Sequence, residues 1–156
     1  MSTSKKKQQL DMEKLVKALD NDNNQNIVDN ELDYKKINQA KNDILQQLQL
    51  SRDSLKIMHK QLKAYRYIDS MEEVRYGSYI RWIKLNNPED IKLTNGGIVV
   101  DIKVFKYEEE GIDEVHLVCR NRMNRLFQIK LNENIVFQKL NDQEQVLLSA
   151  MEYLNK

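Results

Sequence analysis

Ser78-Tyr79-Ile80-Arg81-Trp82-Ile83-Lys84-Leu85 is the stretch whose character sets the fold class. Aromatic and β-branched side chains dominate it, and these suit the pleated, half-buried surface of a strand. It marks a change in the chain. The four glycines (Gly77, Gly96, Gly97, Gly111) and the single proline, Pro88, all lie after residue 76. The part upstream, with no helix breaker, predicts helices with polar interruptions, and the part downstream predicts strands and turns. The boundary is expected near residues 70–76.

Towards the C-terminus, residues 86–90 (NNPED) form a loop and Asn95-Gly96-Gly97 a tight turn. Four more strands are expected, over residues 98–105, 115–120, 125–131 and 135–140. Short polar turns join them, among them the acidic Glu108-Glu109-Glu110-Gly111. Five short strands in such a span predict a small antiparallel barrel. A helix closes the chain. Asn141 and Glu144 have the spacing of a capping box. Val146, Leu147, Ala150, Met151 and Leu154 make one apolar face, expected to pack on the barrel or on the long helix described next.

Towards the N-terminus, residues 31–67 read as one long helix. Tyr34, Lys41, Leu48, Leu55 and Leu62 recur every seventh residue, and so do Ile37, Ile44, Ser51, Met58 and Tyr65. The two series interleave as the seam of a coiled coil over residues 34–65. Eight of the ten seam positions are apolar or aromatic, so the helix needs a partner. A second copy of the chain supplies one, which predicts a homo-oligomer; Met12–Leu19 folded back supplies another. Lys41 and Ser51 are the polar seam positions, placed to set register or strand number.

Before this helix lies a shorter one, with Met12, Leu15, Val16 and Leu19 on one stripe. Between the two runs Asp20-Asn21-Asp22-Asn23-Asn24-Gln25-Asn26-Ile27-Val28-Asp29-Asn30-Glu31. Oxygen-bearing side chains fill its first, third, fifth and seventh positions, and a glutamate its twelfth. Calcium takes six to eight oxygens, and such a loop supplies them. Over residues 12–37 this segment resembles the EF-hand family. The resemblance implies calcium held by the side chains of Asp20, Asp22 and Asn24, the carbonyl of Asn26 and a bidentate Glu31. Gln25 stands where the family prefers glycine, and Val28 offers no side-chain oxygen. With no second loop in the chain, a paired loop would come from another protomer.

Composition narrows the function. Lys and Arg number 25 and Asp and Glu 24, a net charge of +1. Residues 1–74 carry 13 basic and 12 acidic side chains, and residues 75–156 carry 12 of each. Neither part is a polycation, so global charge makes no case for nucleic acid or membrane. The basic residues 1–9 are expected to be a disordered tail, without the apolar core of a secretory signal. No apolar run is long enough to span a bilayer. The single cysteine, Cys119, suits a reducing, intracellular site, cytoplasmic or nuclear. Gly-rich phosphate loops, nucleophile elbows and zinc spacings are all missing from the sequence, so no enzyme is expected. His59 is expected on the surface, His116 as a surface or core histidine, and Cys119 as a small buried hydrophobe.

Two features of the barrel suggest binding. Tyr76, Tyr79, Trp82, Phe105 and Tyr107 supply core in the first instance; as an aromatic pocket the five would receive a methylated lysine or a proline-rich peptide, with Tyr79 and Trp82 as the expected binding residues. Arg120, Arg122 and Arg125 cluster at one turn, either to contact phosphate or as a solvated basic turn. Strand number and length resemble an SH3-like barrel of the Tudor or KOW sort. The stretches 77–83, 96–102 and 135–150 are also similar to uncharacterised proteins of large DNA viruses of eukaryotes, which implies a viral or virion component.

The sequence thus predicts an α+β protein in parts. A basic tail (1–9) precedes a helical region (10–74) with a calcium-type loop and a coiled-coil helix. A five-stranded SH3-like barrel with a C-terminal helix (75–156) follows. The expected role is a non-enzymatic interaction or structural protein that self-associates through residues 34–65, binds calcium weakly and presents the barrel to a protein partner. The alternative is a nucleic-acid- or chromatin-associated adaptor using the barrel and its arginine turn.

Overall fold

The computed structural model describes residues 11–155 apart from 108 and 110. The predicted basic tail over residues 1–9, and two glutamates of the acidic turn, lie outside the described residues. Five helices and six strands occur among the described residues: α1 (Met12–Asp20), α2 (Gln25–Asp29), α3 (Tyr34–Gln46), α4 (Arg52–Gln61), β1 (Tyr65–Ile68), β2 (Tyr79–Lys84), β3 (Gly97–Tyr107), β4 (Ile112–Arg120), β5 (Leu126–Lys130), β6 (Asn134–Lys139) and α5 (Asp142–Leu154). Short 3-10 turns lie at Asp22–Asn24, Met71–Glu73 and Leu131–Glu133. The mixed helix-and-strand class agrees with the sequence. Among the described residues no helix is long and apolar enough to cross a membrane.

The chain divides into two compact units, one of Met1–Gln39 with Leu140–Lys156 and one of Ala40–Lys139. The boundary expected near residues 70–76 does not fall there. The physical reason is strand pairing: β1 lies beside β6, so the chain from Ala40 onward is drawn into the sheet unit.

In the helical unit, Asp11 caps α1, its Oδ1 accepting from the N–H groups of Glu13 and Lys14. Asn141 caps α5 as its spacing predicts. Its Oδ1 accepts from Glu144 N at 2.7 Å, and the Glu144 carboxylate accepts from Asn141 N at 3.1 Å. Ala18, Ile27, Ile37, Leu140, Leu147 and Leu148 form the buried core. The C-terminal helix expected to close a barrel therefore belongs to this core.

In the sheet unit the strand order is β1-β6-β2-β3-β4-β5, with every pair antiparallel. There are six strands where five are expected, and β1 and β5 remain as edges, so hydrogen bonding does not close the sheet into a barrel. One face carries a core drawn from all six strands: Ile68, Ile80, Trp82, Val99, Leu117, Cys119, Ile129 and Val136. The register shift between Val99 and Asp101 is the kind of bulge that bends a strand. Close strand approach needs glycine at Gly96, where φ is +81° and a Cβ would sit 2.0 Å from the Ile80 carbonyl oxygen.

The single helix expected over residues 31–67 is instead α3, α4 and β1. The chain turns at Gln49, whose φ is +53°. Ser51 then caps α4, accepting from Ser54 N at 3.2 Å. The polar seam position is thus a helix start. Leu45, Met58 and Leu62 are buried against Ile83, Ile135 and Phe137, with Ile44, Leu48, Leu55 and Tyr65 half-buried around them. From Lys41 onward, the apolar seam residues cover the chain's own sheet, so the stripe does not by itself call for a second copy.

Candidate anion-binding cleft

Side chains directly opposed on antiparallel strands share a face of the sheet. Tyr65 of β1 stands opposite Lys139 of β6, and Arg81 of β2 opposite Phe137. The pairing of Ile80 with Gln138 puts Tyr79 beside Lys139. The period of two along a strand then places Tyr65, Lys139, Tyr79 and Arg81 on one face of three adjacent strands. This face continues the Phe137 core and emerges from it at the strand ends. With Asn95, from the turn before β3, and Arg122, from the turn between β4 and β5, these residues line a cleft of about 390 Å³.

The lining is held in place. Arg81 Nε donates to the Thr94 carbonyl at 2.8 Å, and the Tyr79 hydroxyl donates to the carbonyl of Asn95. Arg122 sits on a turn built by Asn121, whose Oδ1 accepts from Met123 N at 3.0 Å and Arg125 N at 2.9 Å. Arg75 Nη2 donates to the carbonyl of Lys139 at 3.1 Å. Two guanidinium groups and an ammonium therefore face one space, and among the described residues no carboxylate lines it. Burial pushes the Tyr65 hydroxyl above its ordinary pKa, with Arg81 opposing that rise, so the phenol stays neutral at physiological pH. Chemically the cleft is a set of cationic and neutral hydrogen-bond donors beside two aromatic rings. It suits an anion and repels a cation, which argues against methylated lysine as its ligand.

Of the barrel residues singled out in the sequence, Tyr79 and Arg122 line the cleft. Arg120 is exposed and opposes Ile98 and Leu126, on the same face as Tyr79. Arg125 is exposed in the turn. Trp82 is not in the cleft: it is buried in the six-strand core, and its Nε1 has no hydrogen-bond partner among the described residues. Tyr65, Arg81, Asn95 and Lys139 are lining residues the sequence did not single out. Tyr65 was absorbed by the heptad pattern. The others carry no local signal, because only strand register brings them together.

The calcium-type loop takes another form. Gln25, at the position where glycine would turn left-handed, is right-handed helical with φ −60°. The segment therefore coils into the 3-10 turn Asp22–Asn24 and helix α2. The Asn26 carbonyl, the expected ligand, accepts instead from Asn30 N at 3.2 Å and Asn30 Nδ2 at 2.8 Å. Asn24 is buried, its Nδ2 donating to the Ala18 carbonyl at 2.9 Å and to Gln143 Oε1 at 3.1 Å. Asn21 Nδ2 reaches the same Gln143 oxygen at 2.7 Å. Asp20, Asp22 and Glu31 are exposed. Among the described residues no three His, Cys, Asp or Glu side chains are grouped to hold a metal ion. In this arrangement the Asn24 amide nitrogen and the Asn26 carbonyl are engaged within the chain.

His116 belongs to a separate polar cluster on β4 and β5. His116 lies between Glu114 Oε1 at 2.7 Å and Gln128 Nε2 at 2.6 Å, with Lys130 Nζ 3.0 Å from the same carboxylate oxygen. Burial pushes the Cys119 thiol up to about 12, so it stays protonated and inert.

The chain matches no protein-family model, no curated protein and no solved structure. The cleft is therefore argued on its own residues.

Proposed function

We propose that this chain is a non-enzymatic binding module whose basic cleft receives an anionic ligand. The observation that carries the proposal is the convergence of Arg81, Arg122 and Lys139 on a space with no lining carboxylate among the described residues, in a protein whose net charge is only +1. Clustered like charge has a cost in self-repulsion, and a bound anion relieves it. Strand order supports a small barrel as the frame. The meander β2–β5, the 3-10 turn before β6 and the return of β6 beside β2 suit an SH3-like module, with β1 added at its edge. That likeness supplies a scaffold and no ligand.

The test is salt-dependent retention on phosphocellulose. Two variants of equal net charge are compared. One carries Arg81→Gln, Arg122→Gln and Lys139→Gln; the other carries Lys14→Gln, Lys17→Gln and Lys60→Gln at exposed sites outside the cleft. The proposal expects the first to elute at much lower salt than wild type and the second close to it. Equal elution of the two variants, or no retention of wild type at low salt, refutes it.

A further inference from the structure

We infer that the anion is an unpaired nucleic-acid strand, with phosphates on Lys139, Arg81 and Arg122 and bases against Tyr65 and Tyr79. This rests on the reading of the cleft as an anion site and goes beyond it, because the cations are not alone there. Tyr65 and Tyr79 flank Lys139 on strands β1, β6 and β2, so their backbones lie roughly 10 Å apart, two strand spacings. Both rings are half-buried, standing in the face rather than waving above it. The hydroxyl of Tyr79 is committed to the Asn95 carbonyl, which leaves the ring as what Tyr79 can offer a ligand.

The same face runs on across the sheet. Tyr79 opposes Ile98, Ile98 opposes Arg120, and Arg120 opposes Leu126. Ile98 is 45% exposed and Leu126 60%. Two cationic side chains thus stand among aromatic and apolar ones in a row across all six strands: Tyr65, Lys139, Tyr79, Ile98, Arg120 and Leu126. A duplex presents phosphates and hides its base faces, so it would leave the apolar members of this row without a partner. An acidic peptide satisfies the cations but brings no flat π-face of its own. An unpaired strand brings both, and stacking of bases on aromatic rings beside a basic groove is how such strands are held without sequence preference.

The experiment is fluorescence anisotropy on the full chain at low and moderate salt, with three labelled probes. These are an oligothymidine of about twelve nucleotides, within the span of such sites, a DNA duplex of the same length, and polyglutamate. The expected result is single-strand affinity at least about tenfold above duplex. Tyr65→Leu should weaken single-strand binding by roughly fivefold or more, the low end of one lost stack, and Tyr65→Phe should restore it. Lys139→Gln should lower the slope of log affinity against log salt by about 0.7, one phosphate's share on a single strand. Circular dichroism checks that each variant is folded.

Equal affinity for duplex and single strand, with Tyr65→Leu without effect, overturns the inference and leaves the anion site standing. Tighter binding of polyglutamate than of either nucleic acid does the same and points to an acidic peptide. Failure of all three probes to bind at low salt removes both the inference and the proposal beneath it.

Discussion

Lys41 Nζ donates to the carbonyl of Leu62 at 2.8 Å and to that of Tyr65 at 3.0 Å, from a side chain almost wholly withdrawn from water. Both carbonyls lie just beyond the last turn of α4, where a cation is favoured by the unpaired C=O groups of a helix end. Burial pushes the ammonium's pKa below its ordinary value, so the charge costs something to keep there. Lys41→Met keeps the volume and removes that cost, but it takes a charge-assisted bond from each carbonyl, leaving Leu62 O with the bond from Tyr65 N at 3.0 Å. A net loss of about 1–3 kcal/mol is expected, the range for losing hydrogen bonds to a charged group. Urea unfolding measures it, and a variant as stable as wild type would show that the two bonds contribute nothing.

Gln138 makes the second prediction. It is fully buried in β6, its Nε2 donating to the Glu73 carbonyl at 2.9 Å. Its Oε1 accepts from Arg75 N at 3.0 Å and Ser78 Oγ at 2.8 Å. One amide therefore pins the segment between β1 and β2. Gln138→Leu should cost about 2–4 kcal/mol, from three lost bonds and the loss of a partner for the Glu73 carbonyl and the Arg75 N–H, while Ser78 Oγ keeps its bond to the Arg75 carbonyl. It should also speed hydrogen exchange at the Arg75 amide. Unchanged exchange there would separate the segment's order from Gln138.

Asp33 predicts an acid-dependent stability. Its carboxyl is held below the ordinary value of 3.8, first by the hydrogen bond from Lys36 N at 2.8 Å and also by that from Asn155 Nδ2 at 3.1 Å. A carboxyl whose folded pKa is depressed stabilises the fold above its unfolded pKa. That stability is lost as pH falls through the folded pKa, so the loss begins below about pH 4. Asp33→Asn still accepts from Lys36 N but does not titrate. Its unfolding midpoint should fall less steeply on acidification than wild type's. Parallel acid profiles would place the acid sensitivity elsewhere.

Asn24 distinguishes a polar latch from a calcium loop. In a calcium loop, Asn24→Asp adds a ligand charge and should strengthen binding. Here Asn24 Nδ2 donates to two oxygens, of Ala18 and Gln143, so a carboxylate would face acceptors. Asn24→Asp should therefore lose about 1–3 kcal/mol, and millimolar calcium should not restore it. Calcium rescue in thermal denaturation would show that the loop can wind around the ion after all.

Local signals were legible in the sequence because they act over a few residues. The Asn141–Glu144 capping box follows from spacing alone, and its bonds are present. The five strands expected after residue 77 correspond to β2–β6 within a few residues at each end, since their composition and turns are local properties. The heptad stripe was real as a pattern of burial and misleading as a length of helix. Leu48, Leu55 and Leu62 needed an apolar surface, and no rule of spacing says whether a second helix or the chain's own sheet supplies it. Ser51, a polar seam position by its spacing, is a helix cap. Without a glycine, Gln49 gave no warning of its left-handed turn.

What the sequence by itself determined was therefore the type of each strongly patterned segment, its caps, its turns and the inventory of charge. Only the tertiary structure decided that Tyr65–Ile68 is a strand, because pairing with β6 outweighs a helical pattern that runs into it. The same pairing decided that Tyr65, Tyr79, Arg81 and Lys139 share one face. Strand register joins residues more than seventy positions apart, and a shift of one residue would turn each side chain to the other side of the sheet. The cleft depends on that register, and a register set by long-range hydrogen bonds and a shared core is written nowhere locally in the chain.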